Sequence, residues 1–131
     1  ANMLRFINLE KNNLYGSIPL AISNLSSLET LVLSNNRLEG VVPIDQLAKT
    51  SVKYLGLSNN QFSSMIERSI KDIETLEYLY LDNNEMRGKI PDTIGDLPHL
   101  KALDLGNNKL LGTVPTEVGN LRRLEYFSVN N

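Results

Sequence analysis

The chain repeats one pattern of leucine, asparagine, glycine and proline every 24 residues. Its clearest copy runs from Leu76 to Pro91 and reads LEYLYLDNNEMRGKIP. The apolar spacing of this copy fits neither the 3.6-residue period of a helix nor a sustained alternation of 2. The same register starts again at Leu4, Leu28, Val52 and Leu100. A fixed period of this length predicts a stack of similar coils, each of which buries its core against its neighbours.

Two copies depart from the pattern. The copy that starts at Val52 carries Ser64 and Glu67 where the others carry glycine and proline, and the copy that starts at Leu124 stops before its asparagine. We therefore expect residues 1–131 to form one array of five repeats and a truncated sixth, without caps. The first coil would then expose Ile7, Leu9, Leu14 and Ile18, which favours a segment of a longer array or ends that are covered by other chains.

Each repeat predicts the same local structure. A short strand such as Tyr78-Leu79-Tyr80 would turn its leucine inward and pair with the strands of adjacent coils in a parallel sheet. The asparagine that follows can offer both a donor and an acceptor to the turning backbone. We interpret five asparagines as a structural ladder: Asn12, Asn36, Asn60, Asn84 and Asn108.

The second half of each repeat crosses to the opposite side of the stack. The glycine suits a backbone bend, and the proline suits the first position of a short helical turn. Two apolar residues spaced by three would close the core there, as Ile94 and Leu97 do in the fourth repeat. In the second repeat Ile44 and Leu47 replace this pair in a shifted register. We expect local irregularity between residues 43 and 68.

The motif L-x-x-L-x-L-x-x-N-x-L-x-G-x-I-P resembles the plant-type leucine-rich repeat, which occurs in ectodomains of receptor kinases and receptor-like proteins and in polygalacturonase-inhibiting proteins. The resemblance covers essentially the whole chain. It implies an α/β solenoid with a parallel sheet on the concave face and 3-10 or helical turns on the convex side. It also implies an extracellular or cell-surface location, and recognition of a protein, peptide or glycan. Members of the family commonly carry cysteine-containing caps, and this chain contains no cysteine.

Aromatic side chains collect on the strand positions that would face the concave surface. Tyrosines on such a sheet provide rigid contact area with a polar tip, although aromatic residues also favour strands for structural reasons alone. Tyr54, Tyr78 and Tyr80 should form one patch near the middle, with carboxylates beside it. The candidate ligand-binding residues are Phe6, Tyr54, Tyr78, Tyr80, Asp82, Asp104 and Tyr126.

A neighbouring column alternates in charge. It reads Arg5, Glu29, Lys53, Glu77, Lys101 and Glu125. Opposite charges on adjacent strands attract, and a slipped register would place like charges together. We interpret this column as a device for register and solubility.

Other kinds of function have little support. The net charge of −2 gives no basic footprint for nucleic acid, and no apolar run is long enough to enter a membrane. His99 is the only histidine, and no metal-ligand spacing or phosphate-binding loop occurs, so we expect no catalytic residues, metal or cofactor. Asn24-Leu25-Ser26 is a possible glycosylation site, although Asn24 can equally serve the turn.

Three hypotheses for function remain open. The first is a non-enzymatic recognition module that binds a protein, peptide or glycan on the concave face. The second is an assembly protein whose ends are covered by neighbouring chains. The third is an inhibitor of a glycosidase, for which Asp82 and Asp104 would supply the acidic patch.

Overall fold

The computed structural model describes residues 3–130, in which short strands and turns repeat coil by coil. In chain order its strands are β1 (Phe6–Asn8), β2 (Tyr15–Gly16), β3 (Thr30–Val32), β4 (Arg37–Gly40), β5 (Tyr54–Gly56), β6 (Gln61–Phe62), β7 (Tyr78–Tyr80), β8 (Arg87–Lys89), β9 (Ala102–Asp104), β10 (Lys109–Leu111) and β11 (Tyr126–Ser128). The 3-10 helices span Leu20–Asn24, Arg68–Asp72, Asp92–Asp96 and Thr116–Asn120, and one short helix, α1, spans Ile44–Leu47.

The odd-numbered strands form one parallel sheet, in the order β1-β3-β5-β7-β9-β11. Each strand pairs with the equivalent residues one repeat away, so Leu55 lies beside Leu79 and Leu79 beside Leu103. These central leucines are fully buried, whereas the residues on either side of them face the opposite surface of the sheet. The predicted concave sheet of a leucine-rich-repeat solenoid is confirmed.

The asparagine of each repeat connects its coil to the one before. Asn84 donates through Nδ2 to the carbonyl of Leu57 in the preceding coil at 2.9 Å, and to Leu81 in its own coil at 3.1 Å. Its Oδ1 accepts from the backbone N–H of Phe62, again one coil earlier, at 3.1 Å. Asn36, Asn60 and Asn108 make the same bonds, whereas Asn12 donates to Leu9 and Glu10 of its own coil. The amide therefore satisfies backbone groups of two coils at once.

The residue before each ladder asparagine has a left-handed backbone. Asn83 has φ of 56°, and the equivalent position in the first coil is Lys11, with φ of 57°. Asparagine tolerates this conformation better than most residues do, which explains the recurrent Asn-Asn pair. The glycine that follows four positions after the ladder residue also has a positive φ, +74° at Gly88.

The convex side is closed by the apolar pairs that the repeat predicts. Ile70, Ile73, Ile94 and Leu97 are each at most 2% exposed. In the second coil the 3-10 helix is replaced by α1, whose Ile44 and Leu47 are buried, so the predicted shift of register is confirmed. In the third coil β6 has only two residues, and Met65 instead forms an isolated bridge to Arg87.

Two details of the sequence-based prediction were wrong. Ile18 is only 4% exposed and Ile7 is half-buried, because both side chains pack against the core that later coils continue, whereas Leu9 and Leu14 are exposed as expected. The prolines lie one residue before the 3-10 helices and not at their first position. Pro91, for example, has ψ of 144°, and its carbonyl accepts the N–H of Ile94.

Glu67 offers a site for stabilisation by proline. It precedes the helix Arg68–Asp72 with φ of −67° and ψ of 147°, which is the conformation that Pro91 and Pro115 adopt in their own coils. Glu67→Pro should therefore raise the free energy of unfolding by about 0.4–1 kcal/mol, because proline restricts the unfolded chain. Urea denaturation measures the change. Lower stability would show that the third coil cannot accept the geometry of its neighbours.

Gly95 marks a close approach between the helices Asp92–Asp96 and Thr116–Asn120. A Cβ atom at Gly95 would lie 2.3 Å from the backbone oxygen of Glu117, whereas one at Gly119, the equivalent position a repeat later, would meet nothing within 4 Å. Gly95→Ala should lower the free energy of unfolding by about 1–3 kcal/mol through overpacking. Gly119→Ala is the matched control and should be neutral or slightly stabilising. Equal effects of the two changes in urea denaturation would contradict this packing.

Candidate functional site

The middle of the concave sheet holds three tyrosines, with the ring of Tyr54 in contact with the other two. Tyr54 of β5 pairs with Tyr78 of β7, and Tyr80 pairs with Gly56. The Tyr54 ring centroid lies 5.6 Å from that of Tyr78 and 5.5 Å from that of Tyr80, and both pairs are tilted. These distances lie in the range of favourable aromatic pairs. We call Tyr54, Tyr78 and Tyr80 the tyrosine cluster.

Gly56 creates the space in which the cluster packs. A Cβ atom at this position would lie 3.1 Å from Cε1 of Tyr54, so the ring leans over the bare backbone. Gly56 is buried in the sheet, although the sequence analysis assigns it no role. A glycine inside a strand often marks a close approach, and that signal could have identified it.

The tyrosine rings remain half-exposed, and the surroundings of Tyr54 and Tyr80 disfavour ionisation. Burial raises the pKa of the Tyr54 hydroxyl, and the charges of Glu10 and Asp82 raise it further. The pKa of Tyr80 is raised by burial first, then by the neighbouring tyrosines and by Asp104. The phenols of Tyr54 and Tyr80 therefore stay neutral donors at physiological pH.

Two carboxylates flank Tyr80. Asp104 lies directly beside Tyr80 on the next strand, and Asp82 follows two residues later on the same face. Asp104 accepts hydrogen bonds from the backbone N–H of Gly106 at 3.0 Å and from the hydroxyl of Tyr126 at 3.2 Å. Asp82 accepts hydrogen bonds from the hydroxyl of Ser58 and from the side-chain amide of Asn83.

Of the other two candidate aromatic residues, Tyr126 lies at the edge of the cluster and Phe6 lies apart from it. The hydrogen bond to Asp104 joins Tyr126, which is 49% exposed, to the edge of the patch. Phe6 is 62% exposed on β1, and Thr30 stands between it and Tyr54 in the column. The structure therefore places Tyr54, Tyr78, Tyr80, Asp82, Asp104 and Tyr126 together, and leaves Phe6 apart.

The column of alternating charges lies along one side of this surface. Among residues 3–130 the column forms ion pairs between Arg5 and Glu29, between Lys53 and Glu29 at 3.1 Å, and between Lys101 and Glu77 at 3.1 Å. The ammonium of Lys101 also lies 5.9 Å from the centroid of the Tyr78 ring. Lys101 therefore also contributes to the patch, although the sequence predicts only a role in register and solubility for its column.

Glu29 interacts with two cations. Its hydrogen bonds with Arg5 and then with Lys53 lower the pKa of the carboxyl below the ordinary value of 4.5. A carboxyl whose pKa is lowered on folding stabilises the folded state above its unfolded pKa, and that contribution disappears as the pH falls through the lowered value.

Glu29→Gln should therefore reduce stability at neutral pH and make no difference in strong acid. We expect the gap between variant and parent, measured by urea denaturation, to close as the pH falls from 7 through the lowered pKa of Glu29. Glu74→Gln removes the same charge from an exposed turn and serves as the control. A gap for Glu29→Gln that does not change with pH would show that the ion pairs contribute nothing.

Some features from the sequence lie away from this surface. Asn24 is exposed at the end of the helix Leu20–Asn24 on the convex side. His99 is exposed, and its Nδ1 accepts from Arg123 at 3.0 Å. Within residues 3–130 no cluster of three or more acidic or histidine side chains could hold a metal ion. No helix in that range is long and apolar enough to span a bilayer.

Comparison with known protein families identifies the family of the chain. Models described as Leucine Rich Repeat match residues 3–25, 27–46 and 51–73, and a model for two copies of Leucine Rich repeats matches residues 74–116. The chain belongs to the leucine-rich-repeat family, of the extracellular type found in plant receptors. No curated protein matches it significantly by sequence.

Solved plant receptor structures share the fold. The Arabidopsis receptor kinase HAESA, in complex with the peptide hormone IDA and the co-receptor SERK1, is 31% identical with a TM-score of 0.89, over 96% of this chain and 22% of that one. The plant peptide hormone receptor RGFR1, in complex with RGF2, is also 31% identical with a TM-score of 0.86, over 92% of this chain and 20% of that one. The ectodomain of SOBIR1 from Arabidopsis thaliana is 28% identical with a TM-score of 0.87, over 95% of this chain and 68% of that one. The chain spans about a fifth of HAESA and RGFR1.

Proposed function

We propose that this chain is a non-enzymatic recognition module that binds a peptide or protein on its concave face. The tyrosine cluster is the observation that carries this proposal. Three half-exposed rings in contact provide a rigid surface that loses little entropy when a ligand binds. Asp82 and Asp104 provide acceptors at its edge.

The comparisons support the choice of ligand class. HAESA and RGFR1 are described with bound peptide hormones, and the similarity to each covers more than nine-tenths of this chain. Their similarity also supports an extracellular or cell-surface location and a place within a longer array. A peptide that crosses the sheet would contact successive strands, because equivalent positions of neighbouring coils lie about 4.8 Å apart.

Tyr80→Ala tests the proposal. Peptides selected from a displayed random library against the parent chain should bind the variant at least about tenfold more weakly, because a central aromatic contact is lost. The free energy of unfolding should fall by no more than about 1.5 kcal/mol, the size of an aromatic pair contribution.

Tyr15→Ala provides the control. Tyr15 is 86% exposed on β2, outside the concave sheet, so its replacement removes the same side chain from a different surface. Binding should be unchanged. Equal loss of binding in both variants, or a large loss of stability in Tyr80→Ala with binding intact, would overturn the assignment of the concave face.

A further inference from the structure

The concave face of the sheet carries acidic side chains and no basic ones. The three concave columns, which are the positions equivalent to Tyr78, Tyr80 and Asp82 in every coil, contain three acidic residues, Glu10, Asp82 and Asp104, and no basic residue. The whole chain is nearly balanced, with 13 basic and 15 acidic residues. The lysines and arginines therefore lie on the other surfaces. Those in the bordering column of alternating charges form ion pairs with the glutamates of the same column.

The two carboxylates beside the tyrosine cluster carry uncompensated charge. Within the described part of the chain, Asp82 and Asp104 accept hydrogen bonds from hydroxyl, amide and backbone donors, all of which are neutral. Neutral donors fix the direction of a carboxylate without cancelling its charge, and each oxygen keeps a lone pair for another donor. By contrast Glu29 and Glu77, in the bordering column, form ion pairs with lysine.

The rings beside these carboxylates favour a cation. An aromatic face attracts a cation within about 6 Å of the ring centroid. Lys101 already occupies such a position over Tyr78. Tyr80 lies next to Asp104 across the sheet and next to Asp82 along the strand, so a cation above its ring would meet both kinds of attraction.

We propose that the concave face binds a basic peptide segment, with an arginine side chain stacked on the tyrosine cluster and paired with Asp82 or Asp104. Arginine suits the site better than lysine, because its guanidinium is planar, weakly hydrated and able to bind a carboxylate through two N–H groups while it stacks on a ring. This inference rests on the proposed function and specifies its ligand.

Three synthetic nine-residue peptides test the ligand chemistry on the parent chain. They carry two arginines, two lysines or two glutamates at the same positions of a Gly/Ser background. In NMR titrations the arginine peptide should shift amide signals of β5, β7 and β9, more strongly than the lysine peptide, and the glutamate peptide should have no effect. An arginine peptide that shifts no concave amide overturns the inference.

A pair of charge-matched variants tests the site. Asp82→Asn with Asp104→Asn keeps the size of each side chain and one acceptor oxygen in each, removes both negative charges, and should raise the dissociation constant of the arginine peptide about tenfold or more. Asp45→Asn with Asp96→Asn removes the same charge from exposed convex positions and should leave it unchanged. Equal weakening in the two variants would mean non-specific attraction and would overturn the inference.

The random-library selection separates this inference from the proposed function. Peptides that depend on Tyr80 should be enriched in arginine. If peptides depend on Tyr80 but show no such enrichment, the ligand chemistry is wrong and the concave recognition surface stands. If no selected peptide depends on Tyr80, both fail.

Discussion

The structure depends on the hydrogen bonds of the ladder asparagines. Each of Asn36, Asn60, Asn84 and Asn108 bonds to backbone groups of its own coil and of the preceding one. A buried backbone group without a partner costs about 1–3 kcal/mol, so every coil needs its amide at the same place. This requirement holds the period at 24 residues and sets each strand beside its equivalent. The columns of the concave face are a consequence of it.

Within one strand, therefore, the residues that determine stability differ from those that are available for recognition. Leu55, Leu79 and Leu103 are fully buried and are constrained by the core. The residues on either side of them face the concave surface, where a change of side chain leaves the ladder and the core intact. In this chain those positions hold the tyrosine cluster and its carboxylates, which differ from coil to coil although the scaffold repeats.

Periodicity was sufficient to predict the parallel sheet, the convex turns and the replacement of one turn around Ile44, because each follows from contacts within a coil or between equivalent residues. It did not predict the burial of Ile18, the tight approach of Gly95 to Glu117, or the Tyr54 ring above Gly56. These depend on how far neighbouring coils approach and which way a side chain turns. The 24-residue period places Tyr54, Tyr78 and Tyr80 side by side on one face. The distances between their rings depend on how far the strands approach and on which way each side chain turns.

The separation of scaffold from recognition surface can be measured directly by saturation mutagenesis of the displayed chain, scored for folded display and for binding of a selected peptide. Substitutions at Asn60, Asn84 and Asn108 should abolish display. Substitutions at Tyr54, Tyr80, Asp82 and Asp104 should preserve display and lose binding. If both scores fall at the same positions, or if binding persists throughout the concave columns, the account of this face as the recognition surface is contradicted.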